Sequence, residues 1–135
     1  MCIVPQGEPT QKTIRGYRDL VVWQRSMELC SATYRATATF PDEERFGLVS
    51  QMRRAAVSIP SNIAEGHGRL TTNEYRHFLG VARGSLKELE TQILIARDLG
   101  YLDGPATDCQ LALAEETARM LSALIASLRA RGRTR

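Results

Sequence analysis

The residues best equipped for chemistry are few, and their spacing limits what they could do. Glu74 and His77 stand three apart, the Glu-x-x-His spacing with which carboxylate-bridged di-iron bundles put two ligands on one helix face. Such a site needs two copies of the motif and two further inward carboxylates. The chain has one copy, and Glu74 is also placed to cap a helix, so no metal site is expected. His67 lies between Gly66 and Gly68, and neither histidine has a serine or cysteine partner that spacing identifies, which leaves nucleophilic catalysis without a candidate. Gly66-His67-Gly68 opens no G-x-x-x-x-G-K phosphate loop. Cys2, Cys30 and Cys109 are odd in number and far apart, with no C-x-x-C, and indicate neither a disulfide framework nor a zinc site. The chain reads as non-enzymatic and without a cofactor.

The arginines carry a stronger signal. Arg69, Arg76, Arg83 and Arg97 are separated by multiples of seven, so the helical members share one stripe, with Lys87 one turn beyond Arg83 and Glu90 interrupting it. The guanidinium fork donates two hydrogen bonds at once and suits phosphate. Arg53 and Arg54 either join this surface or serve an internal network. These seven residues form the expected nucleic-acid-binding set. An ordinary solvated face, with Arg83 and Lys87 paired to Glu88 and Glu90, explains the same spacing equally well. Net charge does not choose between the two. The total is +3, but Arg129, Arg131, Arg133 and Arg135 supply four charges, leaving 14 basic against 15 acidic residues before them. Basic character is therefore local. One Trp, four Tyr and three Phe, mostly on apolar seams, argue against base stacking, so binding is expected to be phosphate-led and weakly sequence-specific.

These side chains need helices to position them. In QMRRAAVSIPSNIAEG, residues 51–66, and just before it, Leu48, Met52, Ala55, Ile59 and Asn62/Ile63 recur three and four apart, the period of one helix face. Pro60 lacks an N–H and clashes one turn back, so this helix must kink or stop and restart there, with Ser58 and Ser61 placed to satisfy freed backbone groups. Asn62 shares a heptad position with Leu48 and Ala55, while Gln51, Ser58 and Glu65 make a polar stripe beside it. The four polar residues are expected to form a structural network that fixes packing register.

In chain order, residues 1–16 hold Pro5, Gly7, Pro9 and Gly16 and are expected to be a flexible arm. A first helix, about Arg18 to Phe40, has Leu20, Trp23, Met27, Cys30, Tyr34 and Thr37 as its seam. A second, kinked helix extends from about Asp42 to Glu65. Thr71 and Glu74 form a capping box before a third helix, whose seam of Tyr75, Leu79, Ala82, Leu86, Leu89, Ile93 and Ala96 holds for three heptads. Gly100 and Asp103-Gly104 make a turn, with Pro105 at the next helical start. Leu111, Ala114, Ala118, Leu121, Ile125 and Leu128 line a fourth helix that ends before an Arg-rich tail, 129–135. The fold expected is an all-α, up-down antiparallel four-helix bundle over 17–128 with left-handed packing. Ile93-Leu94-Ile95-Ala96 and Leu20-Val21-Val22-Trp23 are apolar almost all round, which implies a second buried surface, most simply a homo-oligomer. No run of eighteen apolar residues exists, and the first residues resemble no signal peptide. The expected location is the cytoplasm, with no membrane partner.

The segment RFGLVSQMRRAAVSIPSNIAEGHGR, preceded by YRDLVVWQRSMEL and followed by TTNEYRHFLGVARGSLKELETQILIARDLGYL, closely resembles the bacterial four-helix-bundle family of large-subunit rRNA intervening-sequence proteins. That family includes accessory proteins of diversity-generating retroelements. The resemblance covers about Tyr17 to Leu102, and SIPSNIAEG is its most specific phrase. It implies a ring-like homopentamer and, for the retroelement relatives, binding of nucleic acid and a reverse transcriptase. Residues and resemblance together predict a homo-oligomeric bundle that binds structured rRNA or retroelement nucleic acid through Arg-rich faces. The alternative is an oligomeric protein-binding scaffold whose partner is a reverse transcriptase or a ribosomal component.

Overall fold

Helix boundaries in this chain are set by short polar residues and glycines at defined positions. A computed structural model describes residues 13–133 and places four helices there: α1 Val21–Thr37, α2 Leu48–His67, α3 Thr72–Asp98 and α4 Gly104–Arg133. No strand occurs among the described residues. Single 3-10 turns precede α1 at Tyr17–Asp19 and α2 at Asp42–Glu44. Residues 1–12 of the expected arm and 134–135 of the expected tail lie outside the described residues.

At the start of α3 the Thr71 hydroxyl accepts the Glu74 backbone N–H at 3.1 Å, which satisfies one of the free N–H groups of the first turn. The Glu74 carboxylate does not return the bond, so only half of the capping box forms. The Asp103 carboxylate caps α4 in the same way, accepting the Ala106 N–H at 2.8 Å. Gly100 ends α3 at φ 80°, a left-handed conformation that glycine adopts without steric penalty. The Gly100 N–H then bonds the Arg97 carbonyl and the Tyr101 N–H the Ala96 carbonyl, the paired closure of a Schellman motif.

Side-chain bonds between elements establish the topology. Thr33 of α1 reaches Gln110 of α4, while Arg25 reaches Glu116. Numbers fall on one helix as they rise on the other, so the two run antiparallel. Ser58 pairs with Ser85, and Gly66 sits against Phe78 and Tyr75, which makes α2 and α3 antiparallel as well. Phe40, after α1, meets Tyr101, before α4, with ring centroids 5.3 Å apart. Each helix packs only on its chain neighbours and α4 returns to α1, with α2 and α3 sharing the largest interface. The expected up-down four-helix bundle is what the structure shows.

The core is densest along α2 and α3, where Met52, Ile59, Ile63, Leu79, Leu86, Leu89 and Ile93 are fully buried. Burying side chains of this size stabilises by about 1.5–3 kcal/mol each. The predicted α3 seam is correct apart from Tyr75, which is half-buried. α2 runs unbroken through the buried Pro60, so it does not stop and restart. Neither expected serine satisfies the carbonyl that Pro60 frees. The Ser58 hydroxyl pairs with Ser85, and Ser61 is exposed.

The predicted α1 seam holds at its ends, where Leu20 and Thr37 are buried, and is displaced between them. Val22, Ser26, Leu29, Thr33 and Thr37 face inward, while Met27 and Tyr34 are exposed and Trp23 and Cys30 half-buried. The reason is local. Ser26, Thr33 and Thr37 donate to the Trp23, Leu29 and Thr33 carbonyls of their own helix at 2.7–2.8 Å, and a hydroxyl satisfied this way is cheap to bury. α4 answers with buried Thr107, Gln110 and Thr117, so these polar groups mix with Leu29, Leu113 and Leu121 between α1 and α4, where the interface of α2 and α3 is more aliphatic. Leu111, Ala118 and Ile125 of the predicted α4 seam are only half-buried. α4 also continues through Arg129 to Arg133, past the point where a separate tail was expected.

Candidate nucleic-acid interface

The interface begins with which arginines are already occupied. Arg69 pairs with Glu65 at 3.0 Å, Lys87 with Glu90 at 3.4 Å and Arg97 with Asp98 at 3.0 Å. These three of the seven expected residues belong to local ion pairs on a solvated surface, each contributing little. Arg69 also lies over the Phe78 ring at 4.5 Å. The stripe of period seven is real as a helix position, but its members differ in chemistry. Arg53, Arg54, Arg76 and Arg83 have no carboxylate within ion-pair distance among the described residues.

Arg53 and Arg54 open onto a groove of about 700 Å³ that Tyr34 of α1 lines together with the connection before α2 and α2 itself as far as Ser61. Arg45, unpredicted, lines the same groove. Arg53 is held in place: its Nε donates to the Thr37 hydroxyl at 2.9 Å, a terminal nitrogen to the Tyr34 carbonyl at 3.3 Å, and its guanidinium lies 4.6 Å from the Tyr34 ring centroid. Phe46 and Tyr34 supply aromatic surface, Val49 and Val57 apolar surface, and Ser50, Ser58 and Ser61 hydroxyls. Among the described residues, no acidic side chain lines the groove. Phe46 lies on the connection before α2 and belongs to no periodic seam, and the only hint of it in the sequence is the Arg-Phe-Gly run after three acidic residues.

A second, smaller groove of about 280 Å³ lies between α3 and α4, with Arg83 on one wall and Arg129 on the other. Ile125, Ala126 and Ala130 form its apolar surface. Arg76, seven residues before Arg83, is half-buried, and its Nε is buried without a hydrogen-bond partner. Arg129, the first residue of the expected tail, enters the surface because α4 extends beyond it.

The expected polar network is smaller than its four members. The Asn62 amide donates to the Ser58 carbonyl at 2.8 Å and lies 2.9 Å from the Ser58 hydroxyl, which meets Ser85 of α3 at 2.8 Å. Gln51 and Glu65 are exposed and take no part. Glu65 is turned to Arg69 instead. Ser85, 27 residues from Ser58, could be joined to it only by the fold.

Glu74 and His77 are both exposed on α3, and no group of three or more His, Cys, Asp or Glu among the described residues is placed to hold a metal ion. His67 packs edge-on against Tyr75, 5.7 Å between centroids. Burial pushes the Cys30 thiol and the Tyr75 hydroxyl above their ordinary pKa values, so both stay protonated at neutral pH and Cys30 is a poor nucleophile. Cys109 is disulfide-bonded, against the expectation drawn from the cysteine spacing. Spacing alone does not report which cysteines a fold brings together. No described helix is long and apolar enough to cross a membrane.

Residues 18–123, most of α1 to α4, match the family model of the 23S rRNA-intervening sequence protein. The chain belongs to that family. The 23S rRNA-intervening sequence fold is also seen in a solved structure from Bacteroides thetaiotaomicron, described as a protein of unknown function from the S23 ribosomal protein family. It is 19% identical, covers 77% of this chain and 97% of its own, and superposes with a TM-score of 0.70. At that identity the likeness shows the fold. No curated protein matches the chain.

Proposed function

We propose that this intervening-sequence protein is a non-enzymatic, homo-oligomeric helical bundle that binds structured nucleic acid through its arginine-lined grooves. The observation that carries the reading is the division of the arginines. Arg45, Arg53 and Arg54 share one groove, Arg83 and Arg129 flank another, and none is neutralised by a carboxylate among the described residues. Unpaired guanidinium groups gathered in concave surfaces attract phosphate, and their affinity comes from counterion release. Oligomerisation is supported by apolar side chains left outside the bundle. Val81 and Ile95 of α3, Leu99 just after it and Met27 of α1 are 41–54% exposed, and a symmetric ring would both cover such surface and repeat each groove around itself.

Titration of the full chain with fluorescent structured RNA and duplex DNA at several salt concentrations tests the reading, with mass measured by light scattering on the same sample. Binding whose logarithm falls linearly with the logarithm of salt is expected. Arg83→Glu with Arg129→Glu, both exposed, is expected to reduce that slope by about 2 on duplex DNA and to leave helicity unchanged. The family resemblance leads us to expect the mass of five 15.0 kDa chains. An oligomer that binds neither nucleic acid would replace this reading with the protein-binding scaffold.

A further inference from the structure

We infer that the groove between Tyr34 of α1 and α2 takes single-stranded nucleic acid, with unpaired bases stacked on Phe46 and Tyr34 and phosphates held by Arg45 and Arg54. The inference rests on the proposed function and names the class of ligand for one of its grooves. Phe46 is 89% exposed and Tyr34 42%, although both border a concave surface. A large aromatic side chain left this bare gains most when a flat apolar partner covers it. The Arg45 guanidinium sits 5.5 Å from the Phe46 centroid, so one aromatic face comes with a cation beside it. At Tyr34 the arrangement is more rigid. Arg53 is fixed over the ring by two hydrogen bonds to α1, which leaves the ring oriented before any ligand arrives and lowers the entropy lost on binding.

The pairing of flat aromatic surface with unneutralised arginine selects the partner. A double helix keeps its bases stacked on one another and offers this groove only phosphates. A single strand offers both base faces and phosphates at every step, and stacking on aromatic side chains is indifferent to base identity. The absence of any acidic side chain among the described residues that line the groove fits a polyanion. Aromatic composition alone argued against stacking; the structure changes that because Tyr34 lies outside the core seam and Phe46 outside every helix.

The test uses the full chain with three fluorescent probes: a twelve-residue oligouridylate, an RNA hairpin duplex, and inorganic polyphosphate as an anion without bases. Phe46→Ala is expected to weaken oligouridylate binding roughly fivefold to a hundredfold, the loss of one stacked base. Its salt slope should be unchanged, as should affinity for the hairpin and for polyphosphate. Arg54→Gln is expected to lower the oligouridylate salt slope by about 0.7, one phosphate on a single strand. If Phe46→Ala binds oligouridylate like the parent while Arg54→Gln weakens it, stacking is overturned and the phosphate-led function stands. A fall in oligomer mass with Phe46→Ala would instead make the groove a contact between subunits and overturn the inference. Binding of polyphosphate alone would overturn it too, and failure of all three probes would remove the proposed function with it.

Discussion

Gly66 offers the sharpest test of how the bundle is held together. It is buried near the end of α2, and a Cβ added there would lie 2.8 Å from the Phe78 Cβ, 3.1 Å from the Tyr75 Cδ1 and 3.2 Å from the Tyr75 carbonyl oxygen. Ordinary carbon contacts sit at about 3.5–4.0 Å. The shortfall against Phe78 involves an atom bonded directly to the α3 backbone, so no rotamer change relieves it. The two helices must separate at that end. Alanine normally stabilises a helix interior over glycine by about 0.5–1 kcal/mol, whereas forcing methylenes into a packed interface costs about 1–3 kcal/mol. Gly66→Ala should therefore lose about 1–2 kcal/mol. Gly80 and Gly84 of α3 supply the control, since a Cβ at either meets nothing within 4 Å. Alanine there should gain about 0.5–1 kcal/mol each. Urea unfolding followed by circular dichroism, at one fixed protein concentration because subunit association shifts the midpoint, reads all three. A Gly66→Ala protein as stable as the parent would refute the close approach of α2 and α3. A loss at Gly80 or Gly84 that grows with protein concentration would place another subunit's backbone against that face.

Two further outcomes follow from the half-buried polar groups. Asn62→Ala removes both donations to Ser58 and should lower stability by about 0.5–1.5 kcal/mol; an unchanged urea midpoint would show that the cluster does not contribute. Burial raises the folded-state pKa of Tyr75 above its unfolded value. The folded protein then holds a proton that the unfolded chain releases above about pH 10, so stability falls as pH rises through that range and is untouched by Tyr75 below it. Melting temperatures of the parent and Tyr75→Phe across the alkaline range check this: the variant should decline less, and parallel curves would remove Tyr75 from the effect.

What could be read from the chain alone depended on whether a residue's role is set within its own helix. The α3 seam was legible because aliphatic side chains repeat on one face for three heptads and Thr71 marks the start. The α1 seam was not, because Met27 and Tyr34 look like core residues and Ser26 and Thr33 do not. Once each hydroxyl bonds a carbonyl one turn back, the ranking of burial reverses, and hydrophobicity alone picks the wrong face. The error had a functional cost. Assigning Tyr34 to the core removed an aromatic from the surface and, with it, the groove that Arg53 and Arg54 open onto.

The arginine set shows the same limit from another side. Period-seven spacing put Arg69, Arg83 and Arg97 in one class, but whether a guanidinium is free for phosphate depends on carboxylates nearby. Glu65 and Asp98 are close in sequence and could have been matched to Arg69 and Arg97 by helical spacing or adjacency. Arg129 could not have been matched to Arg83, since the 45 positions between them hold a turn and most of α4. A site assembled across helices is therefore visible in sequence only as unspent residues: an arginine with no carboxylate at helical spacing, such as Arg54, and an aromatic outside every seam, such as Phe46; Arg45, three residues after Asp42, gives no such sign. Arg45, Phe46 and Arg54 meet in one groove, and that juxtaposition, rather than the net charge or the stripe, is what supports the nucleic-acid reading proposed for this surface.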